Sequence, residues 1–158
     1  MNKNNILKLT ISILVCQIAG LIGSFFTSPV IFTWYENIEK PNFNPPNWIF
    51  APVWTILFIL MGISLYLIWS NGLKNKKTAI FIFSVQLILN ILWSLLFFGL
   101  QVPLYAFIEI IILWLAILLT IISFYKVSKI AGLLLLPYIF WVSFATILNF
   151  FIWQLNRF

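Results

Sequence analysis

Gln86, Asn90, Trp93 and Phe97 recur at i, i+4, i+7 and i+11 in one apolar run, the spacing that places side chains on a single helical face. Trp141, Ala145, Leu148, Asn149 and Ile152 repeat the pattern in a second run. Trp54, Phe58 and Met61 form a stripe in a third, and Tyr105 stands one turn before Glu109 in a fourth. Ring faces interleaved with amides suit the recognition of a flat apolar ligand that carries polar edges. With no His and the single Cys16, the chain offers neither a protein metal site nor an intramolecular disulfide.

A second concentration of unusual residues is "KPNFNPPNWIFAPVW", Lys40 to Trp54, which holds four of the seven prolines and alternates them with Phe43, Trp48, Phe50 and Trp54. Proline fixes φ and biases the preceding residue to extended geometry, so this segment is expected to be a preshaped loop with little entropy to lose. Pro52 falls where a starting helix tolerates proline, with Asn47 or Ala51 as its beginning. Phe43, Trp48 and Phe50 are expected to roof a pocket beneath.

The elements that carry these residues are set by composition. The 158 residues are 63% hydrophobic and 8% charged, with a mean hydropathy of +1.10. Soluble domains carry about a quarter charged residues, so this is the composition of an integral membrane protein. A membrane-crossing helix needs roughly 20 apolar residues. Five runs qualify, and helices are expected over about 7–27, 48–70, 79–99, 103–125 and 130–154, with a lid loop over 28–47. They form one all-α domain, 1–158, with no room for a soluble catalytic or nucleic-acid-binding unit. The first run lacks a small-residue cleavage site after it and is longer than a signal core, so it reads as a helix.

Five spans put Lys3, Lys8, Lys74, Lys76, Lys77, Lys126 and Lys129 on one side, against Lys40 and Arg157 on the other. By the positive-inside rule the N-terminus is cytoplasmic, and the Pro-rich loop and C-terminus lie outside. The net charge of +6 follows from this bias and from anionic lipid, without nucleic-acid binding. In this topology Asn90, Trp93, Leu148, Asn149, Trp54, Tyr105 and Glu109 converge toward the loop side, as a lidded pocket requires. Lysine-rich, Arg-poor usage with abundant Ile and Asn points to an AT-rich bacterial source, and so to a plasma membrane.

Structural readings stand beside these. Trp34, Trp48, Trp69 and Trp153 lie at span ends, where an amphipathic indole suits the interface, whereas Trp54, Trp93, Trp114 and Trp141 lie deeper. Asn90, Asn149 and Gln17 serve equally well as hydrogen bonds between helices. Glu109 by its depth marks either function or a structural pair with a group such as Gln86. Cys16, Ala19, Gly20, Gly23, Ser24 and Thr27 form a small-residue strip, expected to pack within the bundle.

"WYENIEKPNFNPPNWIFAPVWTILFILMGISLYLIW" (34–69), "LNILWSLLFFG" (89–99) and "PYIFWVSFATILNFFIW" (137–153) resemble the signature regions of the TspO/MBR family of tryptophan-rich sensory and translocator proteins. The resemblance implies a five-helix bundle, often a homodimer, that binds tetrapyrroles such as protoporphyrin IX and haem, or sterol-like and synthetic aromatic ligands. Their cavity is lined by all five helices under the first loop. It implies Ser24, Trp48, Ile49, Trp54, Asn90, Trp93, Tyr105, Trp141, Ala145 and Leu148 as ligand-facing, with no required cofactor. It also implies a light-dependent breakdown of protoporphyrin IX, for which Trp54 and Trp141 are the candidates. Two departures stand out: Phe43 and Tyr105 replace family tryptophans, and the C-terminal sterol-associated pattern fails at Phe150 and Arg157. A tetrapyrrole sensor or regulator ranks first, a transporter second and a porphyrin-degrading photo-oxidase third. The transporter would want internal repeats and helices broken at mid-membrane, and Pro137 is the one interior proline.

Overall fold

The computed structural model describes residues 3–70 and 76–157, and Lys74 lies outside the described residues. Within them the chain is helical, with no strand. Helix α1 covers Lys3–Thr27 and a short α2 covers Trp34–Asn37. A 3-10 turn, Asn47–Ile49, leads into α3, Phe50–Trp69. Helix α4, Lys76–Ser94, ends in a π turn, Leu95–Gly99, and is followed by α5, Pro103–Val127. Two helices close the chain, α6 (Lys129–Leu133) and α7 (Leu136–Leu155). Five stretches are long and apolar enough to cross a membrane: Lys3–Thr27, Asn47–Trp69, Lys76–Gly99, Pro103–Val127 and Lys129–Leu155. The protein is an integral membrane protein.

The last stretch is not the continuous helix expected over 130–154. Pro137 lacks a donor and its ring crowds the carbonyl of Leu133, where α6 stops. Through the break the chain keeps local bonds, Leu134 N–H donating to Ile130 O (3.0 Å) and Leu135 N–H to Gly132 O (3.2 Å). In hydrocarbon, backbone groups must find partners within the protein in this way. At the other end of α4, Gln101 takes the left-handed φ of 56° that lets the chain reverse into α5. Leu100 and Val102 N–H groups bond back to Leu95 and Leu96 O there.

Backbone packing joins α1 to α3 and α4, and α5 to α4, α6 and α7. Of the small-residue strip of α1, Cys16, Ala19 and Gly23 are buried, while Ser24 is exposed. At the α1/α3 seam the backbones come so close that a Cβ added to Gly62 would sit 2.6 Å from Ile13 Cα. Helices α3 and α7, by contrast, are bridged by rings: Trp54 meets Tyr138 at 6.3 Å and Phe50 meets Trp141 at 6.1 Å. Below, toward the end that carries Lys76, Lys77, Lys126 and Lys129, a buried cluster including Met61, Phe83, Ile117 and Phe124 fills the bundle. Above, a second cluster gathers Tyr35, Phe97, Phe98, Leu148 and Ile152 under the loop.

Candidate functional site

Between those clusters lies a cavity of about 670 Å³, walled by α1, α3, α4 and α7 and covered by α2 and the turn before α3. Helix α5 contributes no wall, so the expectation of five lining helices is corrected to four plus the lid. Ser24, Trp48, Trp54, Asn90, Trp93, Trp141, Ala145 and Leu148 all line it. Ile49 and Tyr105 do not. Ile49 sits in the 3-10 turn between two lining residues, Trp48 and Phe50, without joining them, and Tyr105 points outward from α5, 62% exposed. Lining residues that the motifs did not single out as contacts include Gln17 and Gly20, on the same face of α1 as Ser24, together with Tyr35, Ser94 and Phe98. The helical spacing 17, 20, 24, 27 was a usable signal for the first two.

The ring surfaces are fixed by one another. Trp93 stacks on Phe97 (5.2 Å, 20° between planes) and Trp54 on Phe58 (5.6 Å, 29°). Phe58 is held in place because α1 presents Gly20, where an added Cβ would lie 2.6 Å from its ring. Amides and hydroxyls tie the walls together beneath. Trp93 Nε1 donates to Asn149 Oδ1 (3.1 Å), and Asn149 Nδ2 donates to Pro103 O (2.9 Å). Asn90 Nδ2 donates to the Tyr138 hydroxyl (3.0 Å), which donates to Gln86 Oε1 (3.0 Å). Asn149 and Asn90 therefore both link helices, and both also line the cavity.

Glu109 is buried outside the cavity, and neither carboxyl oxygen has a hydrogen-bond partner among the described residues. The pairing with Gln86 does not form: Tyr138 donates to the Gln86 oxygen, and the Gln86 Nε2 has no partner among the described residues. No group of three or more His, Cys, Asp or Glu side chains able to hold a metal occurs among the described residues.

The lid is held by polar fasteners at its far side. The Lys40 ammonium donates to the carbonyls of Tyr35 (2.6 Å), Glu36 (2.9 Å) and Ile38 (3.0 Å), closing the C-terminal end of α2 as a cation should. Tyr35 is buried and its hydroxyl donates to Asn44 Oδ1 (2.7 Å). Burial pushes its phenol up to about 12, against a smaller lowering by that hydrogen bond, so it remains a neutral donor at physiological pH. The Asn156 amide clasps the loop backbone: Glu39 N–H donates to its Oδ1 (3.1 Å) and its Nδ2 donates to Glu39 O (2.9 Å). Phe43 is not a roof over the cavity. It wedges against Phe144 (6.3 Å) and Phe151 (5.5 Å) of α7, anchoring the loop, while Trp48 and Phe50 reach the cavity.

The sequence profile of the TspO/MBR family matches residues 12–154. The chain is similar to the "Tryptophan-rich protein TspO" of Archaeoglobus fulgidus, 53% identical over 96% of this chain and 99% of the relative. It is similar to the protein of that name from Chlorobaculum tepidum, 48% identical over 99% of each. The human "Translocator protein" is 34% identical over 86% of this chain and 82% of its own length. With an aromatic cavity under a proline-stiffened lid, and a family match across nearly all of its length, the chain belongs to the TspO/MBR family.

Proposed function

We propose that this protein is a membrane receptor that binds a tetrapyrrole, such as protoporphyrin IX or haem, in the lidded cavity and serves a regulatory role as a sensor. One observation carries the reading: a cavity of about 670 Å³ whose walls are tryptophan and phenylalanine faces with a few amides among them. That size falls within the range of roughly 300–1,000 Å³ typical of sites for sizeable organic ligands. The relatives' names, tryptophan-rich protein and translocator protein, accord with it.

Transport of the same ligands is the alternative. The break in the fifth span favours binding, because Leu134 and Leu135 lie near one end of Lys129–Leu155 and not at its middle, where an alternating-access site would be built. Light-dependent porphyrin breakdown is the remaining alternative, and the placement of Trp54 and Trp141 on the cavity wall is what speaks for it. The reading includes a homodimer in a bacterial plasma membrane, with the lysine-bearing end cytoplasmic and the lid outside.

Protoporphyrin IX binding to the detergent-purified protein, followed by quenching of tryptophan fluorescence in the dark and then under light, tests it. Saturable quenching is expected, weakened by about threefold to tenfold in Trp54→Phe and Trp141→Phe through loss of stacking area and an indole donor. Loss of porphyrin absorbance under light that disappears in these variants would promote the photo-oxidase. Absence of saturable binding in the wild type would overturn the tetrapyrrole reading.

A further inference from the structure

We propose that Tyr138 is a relay residue: a ligand entering the cavity displaces it, and the helix break just before it in the chain passes that displacement to α6 at the lysine-bearing end. This rests on the ligand-binding reading above and names how the bound state is read out on the far side.

Tyr138 lies behind the cavity wall. It is 1% exposed and lines no part of the cavity, yet two lining residues rest on it. Asn90 Nδ2 donates to its hydroxyl, and the Trp54 ring meets its ring edge-on, 6.3 Å between centroids. A ligand that shifts either wall residue therefore pushes Tyr138. The hydroxyl also has a second arrangement open to it. It donates to Gln86 Oε1, while the Gln86 Nε2 has no partner among the described residues. With both amides turned over, Gln86 Nε2 donates to the hydroxyl and the hydroxyl donates to Asn90 Oδ1, so the same two bonds are kept in the opposite direction. Coupling between distant sites needs an element with two arrangements, and a ligand on Asn90 can tip the balance of this one.

The main chain beside Tyr138 is not a continuous helix. Pro137 brings no donor, α6 stops at Leu133 and α7 starts at Leu136. The two segments answer to different neighbours. Helix α7 turns Trp141, Ala145 and Leu148 to the cavity. Helix α6 packs on α5 and α3: the Ser64 hydroxyl donates to Ala131 O (2.7 Å), and a Cβ added to Gly132 would lie 2.8 Å from Tyr125 Cβ. Its other face, with Lys129, Ile130 and Leu133, is exposed. Displacing Tyr138 changes the angle at Leu134 and Leu135, and α6 turns against α5 and α3 with that exposed face.

The test measures the distance between nitroxide labels at Ile130→Cys on α6 and Lys77→Cys at the start of α4, both exposed, by double electron–electron resonance on the full chain in detergent. The native Cys16 is fully buried and stays unlabelled. Protoporphyrin IX and 1-pyrenebutanol are the probes, each added to saturation as followed by quenching of tryptophan fluorescence. The expected result is a shift of about 2 Å in the label distance, the scale of helix shifts in switching proteins, that follows the binding curve. It should be lost in Tyr138→Phe at saturating probe. Thermal melts check that this variant folds; if it does not, Gln86→Met, which lies off the cavity and removes the second arrangement, is expected to give the same loss. Saturable binding with an unchanged distance, or a shift that the folded variant keeps in full, would overturn the relay whichever probe binds. If only 1-pyrenebutanol binds and the distance shifts, the relay stands and the tetrapyrrole reading falls. Saturable binding of neither probe overturns both.

Discussion

Tyr138 and Glu109 show how differently two buried polar groups can sit in one bundle. The Tyr138 hydroxyl accepts from Asn90 and donates to Gln86, so it satisfies a group on each side. Tyr138→Phe strands both amides, and an orphaned buried group costs about 1–3 kcal/mol. A clear fall in the detergent thermal midpoint is expected. It should be accompanied by weaker ligand binding, because Asn90 faces the cavity. Glu109 has no partner for either oxygen among the described residues, so Glu109→Leu removes a penalty rather than an interaction. Its midpoint should rise, with ligand affinity unchanged because the residue lies outside the cavity. A fall in stability for Glu109→Leu would mean that the carboxyl holds a partner in the membrane. Depth in a span singled out Glu109, whereas no spacing marked Tyr138 near the start of α7; the neighbours that each one meets decide their parts.

Among the elements, the lid is the one whose construction departs most from expectation. Its prolines do stiffen the chain, yet the attachment is made by side chains reaching across many residues, Asn156 to Glu39 and Phe43 to Phe144 and Phe151. Asn156→Ala removes two hydrogen bonds to the loop backbone, each contributing about 0.5–1.5 kcal/mol. Faster amide hydrogen exchange over 38–47 and faster ligand dissociation are expected, with little change in exchange within α3 or α4. Unchanged exchange over that segment would show that the remaining fasteners, the prolines, Lys40, Phe43 and the Tyr35–Asn44 bond, fix the lid without Asn156. Helix α5 also plays a different part from the one its polar residues suggested. It carries no cavity wall, but its Pro103 carbonyl fixes Asn149, and its Trp114 Nε1 donates to Ser143 Oγ (2.8 Å) on α7. The element braces α7 so that α3 and α7 can stand apart around the cavity.

At the scale of the whole molecule, the five stretches among the described residues that are long and apolar enough to cross a membrane predict termini on opposite sides. Lys3, Lys8, Lys76, Lys77, Lys126 and Lys129 sit at one end of the bundle and Lys40 and Arg157 at the other. Reporter fusions should find the N-terminus cytoplasmic and the C-terminus external. An external N-terminus would invert the lid and the cavity mouth with it.

What the sequence determined by itself were the spans, the class of fold and most of the cavity's aromatic lining. Apolar length and helical periodicity are local properties, and backbone satisfaction in lipid leaves the helix as the available answer for such runs. Trp54, Asn90, Trp93, Trp141, Ala145 and Leu148 were legible because each lies in a patterned run or a family motif and turns to the same side as its neighbours. Only the tertiary structure decided that Tyr105 faces outward, that Phe43 anchors instead of roofing, and that Glu109 is left unpaired. Those outcomes depend on how far apart α3 and α7 stand and on which helix fills the space between neighbours. Such distances are set by contacts between residues far apart in the chain, such as Gly62 with Ile13 and Asn149 with Pro103, which no local spacing encodes.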